Sequence, residues 1–159
     1  MVLLQVLMYP FAALFNLVTS LRNWMYDQGF KPSIKFQIPV IGIGNLSAGG
    51  TGKTPLTEYL IRLLAVDHKV ATLSRGYGRK TKGFRIALPA DSASTMGDEP
   101  YQFYQNFGTD VTVAVGEERA LAIPTILQER PETEIILLDD AYQHRSVVPS
   151  FNILLSDYY

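Results

Sequence analysis

The chain contains no cysteine, which removes disulfides and thiolate chemistry and fits a reducing compartment. It has no excess of either charge. The formal net charge is −1, so nothing in the bulk electrostatics calls for a nucleic-acid partner. Internal repeats and low-complexity tracts are absent, and a hydrophobic content of 47% excludes disorder as the dominant state. Length adds a bound: 159 residues make one ordinary domain, or part of a larger protein. No Asn-Lys-x-Asp occurs, so nothing argues for guanine recognition.

The most local absence is at the N-terminus, where Met1 to Leu21 carries no charged residue. The basic n-region and small-residue cleavage site of a secretory signal are missing. Length alone permits a spanning helix. Gln5, Tyr9, Asn16, Ser20, Asn23 and Asp27 nevertheless fall within one helical stripe about 60° wide. Arg22, Trp24 and Tyr26 close the segment with side chains that favour a membrane–water interface. The reading is a membrane-associated helix over residues 1–27; its alternative is a buried helix docked on the domain core. Pro10 predicts a kink, or a second helix starting there.

What is present begins with Pro39-Val40-Ile41-Gly42-Ile43-Gly44-Asn45, a short apolar run, followed by Leu46-Ser47-Ala48-Gly49-Gly50-Thr51-Gly52-Lys53-Thr54 and then a helical pattern. That is the layout of a phosphate-binding loop. Backbone N–H groups from Gly49, Gly50, Thr51 and Gly52 cradle phosphates, Lys53 reaches the β/γ oxygens, and the Thr54 hydroxyl binds Mg²⁺. The loop departs from the strict signature only at Ser47, where glycine is expected. A dinucleotide fingerprint over Gly42-x-Gly44-x-x-Ser47 lacks its third glycine and leaves Lys53-Thr54 unexplained. ATP is the default nucleotide.

Beyond a connector over residues 28–35, strands and helices alternate. Strands are expected over 38–44, 69–74, 84–88, 111–115, 135–138 and 151–155. Helices are expected over 53–66, 96–107 and 117–128, the last weakened by Pro124. The first of these should carry Leu56, Tyr59, Leu60, Leu63 and Leu64 on one face. Alternation of this kind predicts an α/β fold, a P-loop NTPase-type parallel sheet flanked by helices, over residues 28–159 and preceded by the N-terminal helix.

Three further stretches carry chemistry. Ile135-Ile136-Leu137-Leu138 runs into Asp139-Asp140, a strand ending in carboxylates that suit an Mg²⁺ ligand beside the phosphate loop, with Gln143 and His144 close behind. Gly97-Asp98-Glu99-Pro100 opens a helix. Its acids are either dipole-favoured N-terminal residues or include the base that takes a proton from an attacking hydroxyl. Arg75 to Arg85 holds five basic residues and no acid: either a solvated loop, or a surface for substrate phosphates or anionic headgroups.

Together these motifs resemble the tetraacyldisaccharide 4′-kinase family, the membrane-bound P-loop kinases of lipid A synthesis. The resemblance is carried by Arg22-Asn23-x-x-Tyr26-Asp27, Gly44 to Pro55, Leu73-Ser74-Arg75-Gly76-Tyr77-Gly78, Gly97 to Pro100 and Asp139-Asp140-Ala141-Tyr142-Gln143-His144, in family order. Ser47 is usual in that family, and Ala141 replaces a common glycine. The resemblance implies transfer of the ATP γ-phosphate to the 4′-hydroxyl of tetraacyldisaccharide 1-phosphate, at the cytoplasmic face of a Gram-negative inner membrane. It implies Asp98 as catalytic base and Lys53 and Thr54 on the phosphates and Mg²⁺. Glu99, Asp139 and Gln143 would organise the metal, with Asp140 and His144 in support, and Arg75 would steady phosphate charge. Family members are longer and carry a smaller second domain, so the expectation is a truncated form that binds ATP weakly and turns over slowly. The rival readings are a membrane-tethered, non-catalytic ATP-binding module and a P-loop kinase for another membrane lipid.

Overall fold

The computed structural model describes residues 2–45, 51–142 and 145–156. The chain divides into two compact units, Met1–Ser33 and Ile34–Tyr159.

The first unit is built on helix α1 (Val2–Asp27), which runs unbroken with Pro10 inside it; no second helix starts at the proline. None of its side chains from Met8 to Asp27 is buried. Among the described residues, no helix is long and apolar enough to cross a membrane. At its end the Arg22 guanidinium and the Lys31 ammonium lie 5.7 and 5.8 Å from the Tyr26 ring centre, and Trp24 stacks obliquely on Phe30 at 5.5 Å.

The second unit is a six-stranded sheet: β1 (Val40–Asn45), β2 (Val70–Ser74), β3 (Arg85–Ile86), β4 (Thr112–Val115), β5 (Ile135–Leu138) and β6 (Phe151–Leu155). The spatial order is β3-β4-β2-β5-β1-β6. All pairs are parallel except β3–β4. Registers such as Val40↔Ile136 and Val70↔Ile135 align the parallel strands so that their carboxyl ends lie at one edge, with β1 running three residues past the end of β5.

Alternation along each strand sends successive side chains to opposite faces. Ala71, Leu73, Ala114, Ile136 and Leu138 pack under α5 (Arg119–Glu129) with Ile123 and Ile126. Val70, Val113, Val115, Ile135 and Leu137 pack on the other face with Ile61 of α2 (Lys53–Leu64) and Phe103 of α4 (Asp98–Phe107). A sheet covered on both faces explains why β5 reads as four consecutive apolar residues rather than as an alternating strand.

Four local expectations need correction. The helix expected over 96–107 is two helices, α3 (Ala93–Met96) and α4, separated by Gly97 at φ +94°, ψ 158°. No helix passes through that conformation, and a side chain there is strained. The strand expected over 84–88 shrinks to Arg85–Ile86. The helix expected over 117–128 runs from Arg119 to Glu129, with Pro124 inside it and Ile123 and Ile126 on either side fully buried. In α2 the buried face centres on Thr57 and Ile61, with Leu56, Leu60 and Leu64 beside them; Tyr59 and Leu63 point to solvent.

Gly97 is also a point of contact. A Cβ built there would lie 2.9 Å from the Tyr77 carbonyl oxygen, and one built on Gly76 (φ +72°) would lie 2.7 Å from the Met96 carbonyl oxygen. The backbone after β2 and the backbone before α4 therefore touch with no room for a side chain. Gly97→Ala is expected to lower unfolding free energy by about 1–3 kcal/mol, read by urea denaturation. Unchanged stability would mean that the interlock is not fixed in solution.

Candidate active site

Parallel strands bring their carboxyl ends to one edge, and in open α/β sheets that edge is where ligands bind. Here β1, β2 and β5 end in Asn45, Ser74 and Leu138, and the residues that follow β2 and β5, Arg75 and Asp139-Asp140, enter the same cavity of about 450 Å³. Lys53 from the start of α2 and Asp98 and Glu99 from the start of α4 complete its walls, with Tyr77 at one side. Segments from four parts of the chain thus converge on one site.

The Lys53 ammonium donates a 2.9 Å hydrogen bond to the Asn45 amide oxygen and stands 3.5 Å from the Asp140 carboxylate. Thr54 Oγ1 donates to Glu99 Oε1 at 2.7 Å, tying α2 to α4 where they meet the cavity. Asp139 is buried, and burial raises its pKa to about 6; Glu99 and Asp140 push in the same direction, while Lys53 and a backbone N–H pull back. The dominant cause is loss of water around the carboxylate, with like charge second.

Below this pair lies Arg119, the first residue of α5, 1% exposed. Its Nη2 donates to the Asp139 and Asp140 carbonyl oxygens at 2.8 and 3.2 Å. Nε and Nη1 have no hydrogen-bond partner among the described residues. Burial lowers the pKa of the guanidinium, Asp140 and Asp139 raise it, and Arg75 lowers it. Asp140, whose carbonyl Arg119 grips, is the one non-glycine residue with positive φ (53°) among the described residues. The arginine therefore braces a turn that costs backbone strain.

Of the residues singled out from sequence, Lys53, Arg75, Asp98, Glu99, Asp139 and Asp140 line one cavity, and Thr54 reaches it through Glu99. Thr51 stands next to Gly52 just before α2, its hydroxyl buried without a partner among the described residues. Gly49, Gly50, Gln143 and His144 lie outside the described residues. The expected metal set of Thr54, Glu99, Asp139, Asp140 and Gln143 is not a ready-made cage: among the described residues no three Asp, Glu, His or Cys side chains are gathered to hold an ion. Lys53 stands 3.5 Å from the Asp140 carboxylate and its charge pulls the Asp139 pKa down.

Two contributors escaped the sequence reading. Asn45 carries a legible signal, a polar residue ending an apolar strand. Arg119 carries none, because nothing in Gly116-Glu117-Glu118-Arg119 announces a buried side chain reaching another strand's end.

Asp139 makes a pH prediction. A carboxylate whose folded pKa lies above its ordinary 3.8 contributes stability that is fully present below that value and is lost as pH rises through about 6. In metal-free, nucleotide-free buffer, the native chain should lose roughly 2–3 kcal/mol more stability between about pH 4 and pH 7 than Asp139→Asn does. Parallel denaturation curves for the two proteins would show that Asp139 is not desolvated.

With the geometry in view, comparison with known proteins is direct. A family profile described as LpxK, tetraacyldisaccharide-1-P 4′-kinase, matches residues 4–159. The tetraacyldisaccharide 4′-kinase of Flavobacterium johnsoniae is 53% identical over 156 residues, covering 98% of this chain and 46% of that protein. That of Bacteroides thetaiotaomicron is 50% identical over 153 residues, covering 96% and 40%. Among solved structures, the "apo" form of LpxK from Aquifex aeolicus in complex with ATP superposes with a TM-score of 0.84 at 38% identity, over 95% of this chain and 48% of that one. The chain thus spans less than half the length of these relatives.

Proposed function

Since this chain belongs to the tetraacyldisaccharide-1-P 4′-kinase family, we propose that it binds Mg²⁺·ATP at the carboxyl edge of its sheet. There it directs the γ-phosphoryl group to the 4′-hydroxyl of a tetraacyldisaccharide 1-phosphate. The observation that carries the reading is the meeting of Lys53, Asp98, Glu99 and Asp139 in one cavity, with Thr54 bonded to Glu99 at its rim.

The chemistry asks for positioning and charge neutralisation more than for covalent catalysis. Lys53 supplies the cation for the β and γ oxygens; Asn45 and Asp140 hold it at the end of β1, aimed at the cavity. The α2 N-terminus behind it adds backbone N–H groups and the positive end of a helix dipole. Asp98, which lines the same cavity, accepts the proton of the attacking 4′-hydroxyl. The hydroxyl oxygen bonds to phosphorus and the β–γ bridging oxygen leaves with ADP. Arg75 lies where it can balance charge on the transferring group.

Magnesium fits the donors present. Thr54, Glu99 and Asp139 offer hard oxygens, and Glu99 and Asp140 already repel the buried Asp139 charge, a strain that a divalent cation relieves. Magnesium characteristically takes one or two carboxylates plus phosphate oxygens and water, so a site without a three-carboxylate cage suits it. Held by these residues, it would supply positive charge to neutralise the phosphate oxygens. Gln143 and His144 belong to the same proposal by sequence.

The reading extends to the first unit. Phe11, Leu14, Phe15, Val18 and Leu21 of α1 are exposed, with Arg22, Trp24 and Tyr26 at its end. Large exposed apolar surface followed by interfacial side chains supports a helix lying in a membrane surface. We place that surface at the cytoplasmic face of a Gram-negative inner membrane, where the acyl chains of the substrate reside.

Two outcomes test the proposal. Labelled phosphate should pass from ATP to tetraacyldisaccharide 1-phosphate in detergent micelles, and Asp98→Asn should lower the rate at least about a hundredfold while leaving ATP affinity within a few-fold. Transfer undiminished by the substitution removes Asp98 as base; ATP binding with no transfer by the unsubstituted chain favours the non-catalytic module. Flotation with anionic vesicles should fall at least about tenfold in Phe15→Asp/Val18→Asp. Equal flotation would take α1 out of the membrane.

A further inference from the structure

Helices α2 and α4 meet along a polar seam. Thr54, Glu58 and Arg62 recur every four residues on one stripe of α2; Glu99, Gln102 and Asn106 recur at three and four on one stripe of α4. Thr54 bonds Glu99 at the cavity end. One turn further, Glu58 Oε1 accepts from Gln102 Nε2 at 2.7 Å and from Asn106 Nδ2 at 3.0 Å. Its other oxygen, Oε2, accepts from Arg62 Nη2 at 3.2 Å, and the Arg62 guanidinium lies 5.3 Å from the centre of the Phe107 ring. Although it carries a charge near the surface, the Glu58 side chain is only 13% exposed.

The sheet-facing contacts do not need this seam. Ile61 and Phe103 are fully buried and already hold both helices against β-strand side chains. Apolar contact is non-directional, however, and fixes position along a helix axis poorly. Helical rise is about 1.5 Å per residue, so an axial slip of one residue would break a hydrogen bond of Thr54–Glu99 length. One carboxylate receiving two amides from successive turns of α4 supplies the directional restraint that packing lacks.

We propose that Glu58 is a positioning residue. It sets the axial register of α4 against α2 and so holds Glu99 to Thr54 and Asp98 to its wall, without touching nucleotide. The proposal rests on the reading of Thr54 and Glu99 as the Mg²⁺·ATP corner of the site. It implies that the metal-dependent part of nucleotide affinity depends on a side chain one helical turn away from the ligand.

The amide geometry supplies its own control. Glu58→Gln keeps an oxygen for Gln102 and Asn106 and loses only the exposed pair with Arg62, whereas Glu58→Ala loses everything. On the full chain, calorimetric affinity for the β,γ-imido analogue of ATP should fall about tenfold in Glu58→Ala with Mg²⁺ present, a change of about 1.4 kcal/mol. It should stay within about twofold in Glu58→Ala with EDTA, and in Glu58→Gln and Arg62→Ala under both conditions. Without ligand, amide exchange over residues 98–101 should quicken in Glu58→Ala and not in Glu58→Gln.

Where the affinity of the unsubstituted chain depends on Mg²⁺, equal losses with and without it, no loss, or failure of Glu58→Gln to restore affinity would overturn the positioning role. If Glu58→Ala does not fold, Gln102→Ala/Asn106→Ala removes the same bonds at exposed positions and must reproduce both effects. Quickened exchange in Glu58→Ala, alongside an unsubstituted chain whose nucleotide affinity ignores Mg²⁺, would overturn the assignment of the metal corner and leave the register role standing.

Discussion

The pairing of β1 with β5 is the constraint on which the site depends. β1 leads into the helix that begins with Lys53, and β5 ends at Asp139; the chain separates these residues widely, and the parallel register Val40↔Ile136 to Gly42↔Leu138 sets them side by side. Because β2 flanks β5 on its other side, Arg75 arrives at the same edge. Sheet hydrogen bonds alone would permit other alignments. A slip of one residue would send Ile136 and Leu138 to the α2 face and Ile135 and Leu137 to the α5 face, scrambling two cores at once. Apolar burial on both faces is therefore what aims the charged residues.

Charge at that edge is arranged around imbalance. Asp139 is buried against two other carboxylates, with Lys53 the nearby cation that lowers its pKa. Arg119 meets Asp139 and Asp140 through their carbonyl oxygens, so it braces the turn. The proposed cation, arriving with phosphate, would offset the like charge gathered at that edge. The α2–α4 seam belongs to the same economy of placement, since it keeps Glu99 within reach of Thr54 before any ligand does so.

Much of this was legible in the chain. Strand-loop-helix punctuation around Gly52-Lys53-Thr54 and the apolar run ending at Asp139-Asp140 identified the sheet type and the edge where these residues gather, because backbone chemistry and periodicity are local properties. Side-chain partners across the fold were not legible. Arg119 and Glu58 look like ordinary surface charges in sequence, and only the packing of α5 and α4 gives them their tasks. The break at Gly97 was hidden for a different reason. Its acidic neighbours read as a helix start, yet the residues before it form a short helix of their own, and only the positive φ separates the two.

The contact between Gly76 and Gly97 also limits how this scaffold can be altered. Neither residue can acquire a side chain without pushing the other's backbone away, so the loop behind Arg75 and the first turn of α4 form one mechanical part. A protein engineer who wished to change what the wall recognises could not lengthen or tilt that loop by itself, because Asp98, the acid proposed to accept the proton, would be carried along. New selectivity would have to come from side chains that point outward from the fused pair, such as Tyr77, which is 92% exposed.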